Sequence, residues 1–194
     1  MARYFRPAAN PRGRITMSLD IRWLAPAAII VAAPQCIAAQ YMNVEQARRL
    51  IFAEADEFVA APVSLTMEQL QQVDKLSGVD ARSAHHKVWV AQAQGKPVGW
   101  FMLEQVIGKH ELMTFALGIN PDGSVRQFQI LEYREAYGYQ VRELKWRDQF
   151  VGKTIADALK VGVDIANISS ATLSCNHVTD GIKRLLAVRQ VALR

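Results

Sequence analysis

The chain has few of the features by which the common enzyme classes are identified. It holds only two cysteines, and no GxGxxG, GxxxxGK, HExxH, GxSxG or CxxC pattern occurs in its 194 residues. These absences exclude the standard signatures of dinucleotide-binding, P-loop, zincin, α/β-hydrolase and dithiol redox proteins. None of the four histidines has a carboxylate or cysteine at metal-ligand spacing, so no metal site and no catalytic set are predicted.

Net positive charge is small outside the N-terminal region. The formal net charge is +5, but five arginines against one aspartate put +4 of it in the first forty residues, which leaves about +1 for the rest. A nearly neutral domain lacks the basic surface of a nucleic-acid-binding protein. No nucleic-acid partner is therefore predicted.

The N-terminal region has no apolar run of the ~20 residues that a membrane-spanning helix needs. Its apolar segment, Trp23 to Ala39, follows an arginine, is short and ends in small residues, which is typical of a secretory signal peptide. We predict that residues 1–40 are an N-terminal extension and signal, that Met17 is the true start, and that the mature chain is periplasmic. An uncleaved membrane anchor and a lipoprotein anchor at Cys36 are the alternatives.

Disulfides are not expected in the mature chain. Cys36 would leave with the signal, so Cys175 would have no internal partner. The sequence favours a buried packing role for Cys175 over a reactive thiol.

Helical patterns lie on both sides of a β-rich region. Asn43 with Gln46, and Thr66 with Gln69, have capping-box spacing ahead of two helices within residues 41–80. Alternating apolar residues in 86–133, separated by GKP and NPDG turns, predict a meander of about four antiparallel strands with one packed and one solvated face. A short helix around 145–161 and a final helix from about His177 to Val191 follow. The prediction is an α+β fold, an antiparallel sheet flanked by helices, in a single mature domain.

One polar segment, 167–176 (NISSATLSCN), precedes the final helix. Its small and hydroxyl side chains let a ligand approach the backbone, and the free amides and dipole of a helix N-terminus favour an anion such as a phosphate. Such runs also serve as simple helix caps, and this alternative stays open here.

The segment DIANISSATLSCNHVTDGIKRLLA resembles the C-terminal signature of the FMN-binding domain family. Two upstream segments, NPDGSVRQFQILEYREAYG and WRDQFVGKTIADAL, are also similar to the family, and the similarity covers about residues 85–190. The resemblance implies that residues 81–194 are an FMN-binding domain and that a flavin transferase joins the FMN phosphate to a threonine by a phosphodiester bond. The matching residue is Thr172.

The resemblance also implies the rest of the site. The expected cofactor-binding residues are Thr172, Ala171, Ser170, Ser169, Glu135, Gly138 and Tyr137. Aromatic residues proposed to contact the flavin ring are Tyr137, Tyr139, Trp146 and Trp100. The implied function is a periplasmic flavoprotein that relays electrons between a membrane-bound redox partner and an acceptor, rather than an enzyme with its own substrate.

Two positions depart from the family pattern. The motif aspartate falls on Ala166, with Asp164 two residues too early, and the motif glycine falls on Ser170. Glycine at such a position often serves a positive φ or the close approach of a phosphate. The alternatives to covalent FMN are noncovalent FMN, and a secreted non-redox binding module without flavin.

Overall fold

An antiparallel sheet forms the centre of this computed structural model, which describes residues 39–135 and 138–193. Its four long strands are β4 (His85–Ala93), β5 (Lys96–Ile107), β6 (Leu112–Ile119) and β7 (Val125–Tyr133). Each pairs with the next, so the predicted four-strand meander is confirmed. Residues 1–38 of the predicted extension and signal, Met17 and Cys36 among them, lie outside the described residues, whereas Ala39 and Gln40 form the first strand, β1.

Three short strands extend the sheet at its two edges. β1 (Ala39–Gln40) pairs with β7, while β2 (Glu57–Ala60) and β3 (Val63–Ser64) both pair with β4. The strand order is β1-β7-β6-β5-β4-β2, with β3 beside β2 on the free edge of β4. The sheet is antiparallel throughout, as predicted.

Helices α1 (Val44–Ile51) and α2 (Met67–Ser77) begin as the sequence predicts. Asn43 with Gln46 and Thr66 with Gln69 each form a reciprocal capping box. These bonds satisfy amides that the first helical turn leaves without partners.

The prediction that one face of the sheet is solvated was wrong for its central strands. Phe115 and Leu117 face the larger core, while Phe101 and Ala116 are equally buried on the opposite face. That second face is covered by α1 and by Phe52, which follows it. The strands alternate as predicted, but the residues that cover the second face come from an earlier part of the chain.

The segment after β7 holds less helix than predicted. A 3-10 turn (Tyr139–Arg142), α3 (Leu144–Arg147) and a further 3-10 turn (Asp148–Phe150) are its regular elements up to residue 168. Gly152 and Leu159 have positive φ angles of 79° and 43°, which an α-helix does not tolerate. The predicted helix over 145–161 is therefore confined to its first turn.

The final helix, α4 (Thr172–Ala192), begins five residues earlier than predicted, after a 3-10 turn (Ser169–Ala171). Its buried stripe starts with Ala171 and Cys175 and continues through Val178 and Ile182. Ala171 and Cys175 do not stand out as part of the apolar pattern because they lie among serines. Thr172 is consequently the first residue of the helix rather than part of a loop.

Candidate functional site

A cleft of about 360 Å³ opens at the N-terminus of α4. Residues 169–174 form one wall, the β5–β6 loop contributes Lys109 and His110, and Glu135 follows β7. Five of the residues predicted as a site line this cleft together: Thr172, Ala171, Ser170, Ser169 and Glu135. Three segments that are distant in the sequence are thus brought into one place.

The N-terminus of α4 has no side-chain cap. Neither α4 nor the 3-10 turn before it receives a cap hydrogen bond, in contrast to α1 and α2. The Ala171 amide donates to the Ile168 carbonyl, but the next three amides lie in the turn where a helix offers no internal acceptor. The interpretation of the Ser/Thr run as a helix cap is therefore wrong, and these amides lie at the end of the helix that borders the cleft.

The residues of the run divide into an exposed and a buried set. Ser169, Ser170 and Thr172 are exposed, whereas Ala171 and Ser174 are buried. The hydroxyls of Ser174 and Tyr133 share a hydrogen bond. Ser174 thus anchors the helix to β7, and Thr172 is left to present its hydroxyl to solvent and to the cleft.

Gly138 packs directly behind the cleft. Its φ is +84°, and a Cβ at this position would lie 2.6 Å from Ala171 Cβ and 2.7 Å from Tyr133 Oη. A real Cβ does not approach other atoms so closely, so only glycine fits here. The segment after β7 is therefore in close contact with the turn that leads into Thr172.

Glu135 binds the backbone of the β5–β6 loop through its carboxylate. Its Oε1 accepts hydrogen bonds from the backbone amides of His110 (2.5 Å) and Glu111 (2.9 Å). Burial acts to raise the pKa of Glu135, but the loop amides outweigh it, so the pKa lies below its ordinary value. The carboxylate fixes the position of Lys109 and His110 at the cleft.

This contact predicts an acid-dependent loop. Because the pKa of Glu135 is lower in the folded state, its contribution is present above the ordinary value of 4.5 and is lost as pH falls through the folded value. We expect Glu135→Gln to speed hydrogen exchange at the His110 and Glu111 amides by about fivefold at neutral pH. The two proteins should converge only when the pH falls below the folded pKa of Glu135, which lies under 4.5, and equal exchange at neutral pH would contradict the role of the carboxylate.

Sequence reasoning missed Lys109 and His110. Both are exposed in the loop between β5 and β6 and line the cleft. Their signal is the GKHE turn at 108–111, which lies inside a run whose pattern indicates strands. Lys109 places a positive charge at the same opening as the helix N-terminus, and the two favour an anion together.

The aromatic candidates for a ring contact differ in their accessibility. Trp146 is only 5% exposed and donates its Nε1 hydrogen to the Ala166 carbonyl. Trp100 stacks with Arg189, about 25 Å further along α4 than Thr172 at 1.5 Å per residue. The prediction that these two residues contact the flavin ring was therefore wrong: Trp146 belongs to the core, and Trp100 lies far from Thr172. Tyr139 is 56% exposed in the turn after Gly138, and Tyr137 lies outside the described residues.

The two departures from the family pattern have local explanations. The Ala166 amide donates to Gln149 Oε1, and its carbonyl accepts from Trp146 Nε1, so both backbone groups are held without a side chain at 166. Ser170 is not among the positive-φ residues, so serine suffers no backbone strain there. Asp164 accepts from Lys153 and from the amides of residues 159 and 160, and so belongs to a different turn.

Cys175 is a packing residue. It is fully buried one turn into α4, and burial raises the pKa of its thiol. A buried thiol with a raised pKa is a poor nucleophile. The prediction from the sequence that Cys175 has a buried packing role agrees with this environment.

The fold and the cleft define a class of protein: an α+β domain that offers an uncapped helix N-terminus, a lysine and an exposed threonine hydroxyl to an anionic ligand. Residues 108–187 match the family model for the FMN-binding domain. This segment includes every residue that lines the cleft, and the resemblance to the FMN-binding domain family seen in the sequence is confirmed.

Two solved structures are similar to this chain. One is a component of the Na(+)-translocating NADH-quinone reductase from Parabacteroides distasonis, which is 13% identical, with a TM-score of 0.50 over 82% of this chain and 90% of that chain. The NqrC protein of Shewanella oneidensis is 12% identical, with a TM-score of 0.46 over 74% and 84% of the respective chains. No curated protein matches the sequence. The first of these likenesses confirms the predicted α+β architecture.

Among the residues that the structure describes, no helix combines the length and the apolar character needed to cross a membrane.

Proposed function

We propose that this protein is a periplasmic electron carrier that holds FMN through a phosphodiester bond to Thr172. The observation that supports the proposal is the uncapped start of α4, where Thr172 is exposed on a cleft that Lys109 also lines. The match of residues 108–187 to the FMN-binding domain model supports FMN as the cofactor. The geometry supplies a hydroxyl at the place where a phosphate is best stabilised.

The residues of the cleft would divide the work of holding the phosphate. Amides at the start of α4 would donate to its oxygens, the helix dipole would favour its charge, and Lys109 would add a cation. Ser169 and Ser170 would offer further hydroxyl donors from the 3-10 turn. Gly138 and Glu135 would act indirectly, by fixing the turn and the β5–β6 loop.

Covalent attachment requires an activated donor, which we propose to be a flavin dinucleotide bound by a flavin transferase. A bond would form from Thr172 Oγ1 to the flavin-bearing phosphorus as the bond from that phosphorus to the bridging oxygen of the second phosphate would break. The hydroxyl proton leaves with the departing nucleoside monophosphate. The exposure of Thr172 supports this step, because the transferase must reach the hydroxyl.

Bound FMN would supply the electron chemistry, and the protein would supply its position and its electrostatic surroundings. We infer a membrane-bound redox protein as the partner. The neighbour with a TM-score of 0.50 belongs to a quinone reductase that translocates sodium, which fits this class of partner. A tether through Thr172 would keep the cofactor from diffusing away outside the cytoplasm.

The proposal is tested by expressing the chain from Met17 with its signal, with and without a flavin transferase. We expect a fluorescent band after denaturing electrophoresis only when the transferase is present. A band that is dark in both cases, from a native protein that is also colourless, would instead favour the secreted binding module.

Lys109→Ala is expected to slow flavin loading without changing the fold. The exposed ammonium group lies at the cleft, so its removal should reduce the initial loading rate by about threefold at low salt, and less at high salt. Lys96→Ala is a matched control, because Lys96 is an exposed lysine at the far end of β5. Equal rates for both variants would remove Lys109 from the site.

A further inference from the structure

A second cleft, of about 310 Å³, lies where β4 begins beside β5, and we name it the β4–β5 cleft. It is lined by Arg82 and Ser83 ahead of β4, by His86 and Lys87 of β4, and by Glu104 of β5, among others. This cleft shares no lining residue with the cleft at the N-terminus of α4. Its volume is at the lower end of the range for small-molecule sites, which begins at roughly 300 Å³.

Buried polar atoms without partners gather at this cleft. His86 is 6% exposed, and its Nε2 atom has no hydrogen-bond partner. Arg184 is 1% exposed beneath the cleft, with Nη1 bonded to the Asp80 carbonyl but with no hydrogen bond at Nε or Nη2. Such atoms are rare in folded proteins because each one loses its hydration without compensation.

The nearest carboxylate does not complete this arrangement. Glu104 Oε1 lies 3.5 Å from Arg184 Nη2, an ion pair that is too long for a good hydrogen bond. Burial raises the pKa of Glu104 in spite of the nearby Arg184, so the carboxylate is itself poorly solvated. Three basic residues lie around this one acidic residue: Arg82 and Lys87 line the cleft, and Arg184 pairs with Glu104. The local balance is positive.

Burial lowers the pKa of His86, and its other ring nitrogen is engaged by the Ser83 backbone, so Nε2 donates a hydrogen bond only when the ring is protonated, which a bound anion would favour. Protonated His86, beside the exposed Arg82 and in front of the buried Arg184, matches the chemistry of an oxyanion. We propose that the β4–β5 cleft binds a small oxyanion, a carboxylate or phosphate group, which accepts a hydrogen bond from protonated His86 and pairs with Arg82. Arg184 contributes its charge from behind without contacting the ligand. Arg82, which lines the cleft, has a φ of +57°, a backbone conformation that is unusual for arginine.

The test is a titration of the full chain with inorganic phosphate and, separately, with succinate, at constant ionic strength. We expect a saturable change in the backbone amide NMR signals of residues 82–87 with at least one of the two probes. The probe that saturates identifies the source of the oxyanion. A change that grows linearly with concentration for both, or no change, would overturn the proposal.

Two variants separate specific binding from a general response to salt. Arg82→Asn keeps the left-handed backbone, which asparagine tolerates, and is expected to weaken binding by about tenfold. His86→Phe keeps a buried ring without its nitrogens and should weaken binding similarly, while Lys96→Ala, at the distant turn between the two strands, should leave it unchanged. Equal affinity in all three variants would contradict the site. Binding should persist in Thr172→Ala, so this proposal and the FMN proposal can fail separately.

Discussion

Thr172→Ala is expected to abolish covalently bound flavin completely while leaving the fold intact. The substitution removes the only hydroxyl that the proposed phosphodiester uses. The helix should not suffer, because Thr172 is exposed and makes no cap hydrogen bond at the start of α4. The measurement is flavin fluorescence of the denatured chain after loading by the transferase, together with the thermal unfolding midpoint of the unloaded chain.

Three variants control for this result. Thr172→Ser retains a hydroxyl and should retain covalent flavin at a reduced rate, whereas Ser169→Ala and Ser170→Ala should be labelled to completion. Flavin that survives denaturation in Thr172→Ala would place the bond elsewhere. A large drop in the unfolding midpoint would show that Thr172 has a structural role instead.

Gly138→Ala is expected to produce the largest loss of stability among substitutions around the cleft. The added Cβ would overlap Ala171 and the Tyr133 hydroxyl in a backbone conformation that alanine disfavours. We expect the free energy of unfolding to fall by about 2–4 kcal/mol, from about 1 kcal/mol of backbone strain and the remainder from overpacking. Because the overlap pushes against the 3-10 turn, flavin loading at Thr172 should slow as well.

Gly152→Ala separates the two contributions to that loss. Gly152 has nearly the same φ, +79°, but nothing lies within 4 Å of a Cβ built there. It should lose only about 1 kcal/mol and load flavin normally. Denaturant unfolding of the two variants provides the comparison, and equal losses of stability would show that the contact between Gly138 and Ala171 is unimportant.

The fold was largely predictable because local signals in the sequence agree with the final packing. The capping boxes at Asn43 and Thr66 fix two helix starts, and turn residues separate strands whose alternation is regular. The second buried face was not predictable, since it depends on Phe52 and α1 packing onto strands far away in the sequence. Periodicity reveals which residues alternate, but not which element covers them.

The start of α4 illustrates the limit for the site. Small residues such as Ala171 and Cys175 carry little hydrophobic signal, so the pattern predicts a helix only from about His177. Serines and threonines before a helix usually cap it, and only the structure reveals that these do not. The resemblance to the family was enough to predict Thr172, whereas the cleft around it could be seen only in the structure.

The walls of the cleft show a second limit. Glu135 was predicted as a binding residue, but its carboxylate bonds the amides of His110 and Glu111 across a turn. The placement of Lys109 follows from that long-range contact, which no pattern within the β5–β6 loop encodes. That Glu135 and Gly138 help to hold FMN stays a prediction, now with an indirect role for each.

The most direct test of the central claim is peptide mass mapping of the chain after expression with a flavin transferase. We expect that one peptide, the one that contains Thr172, gains the mass of FMN less one water, and that fragmentation places this mass on Thr172. An unmodified Thr172 in a protein that is otherwise folded, or the same mass on a different residue, would contradict it.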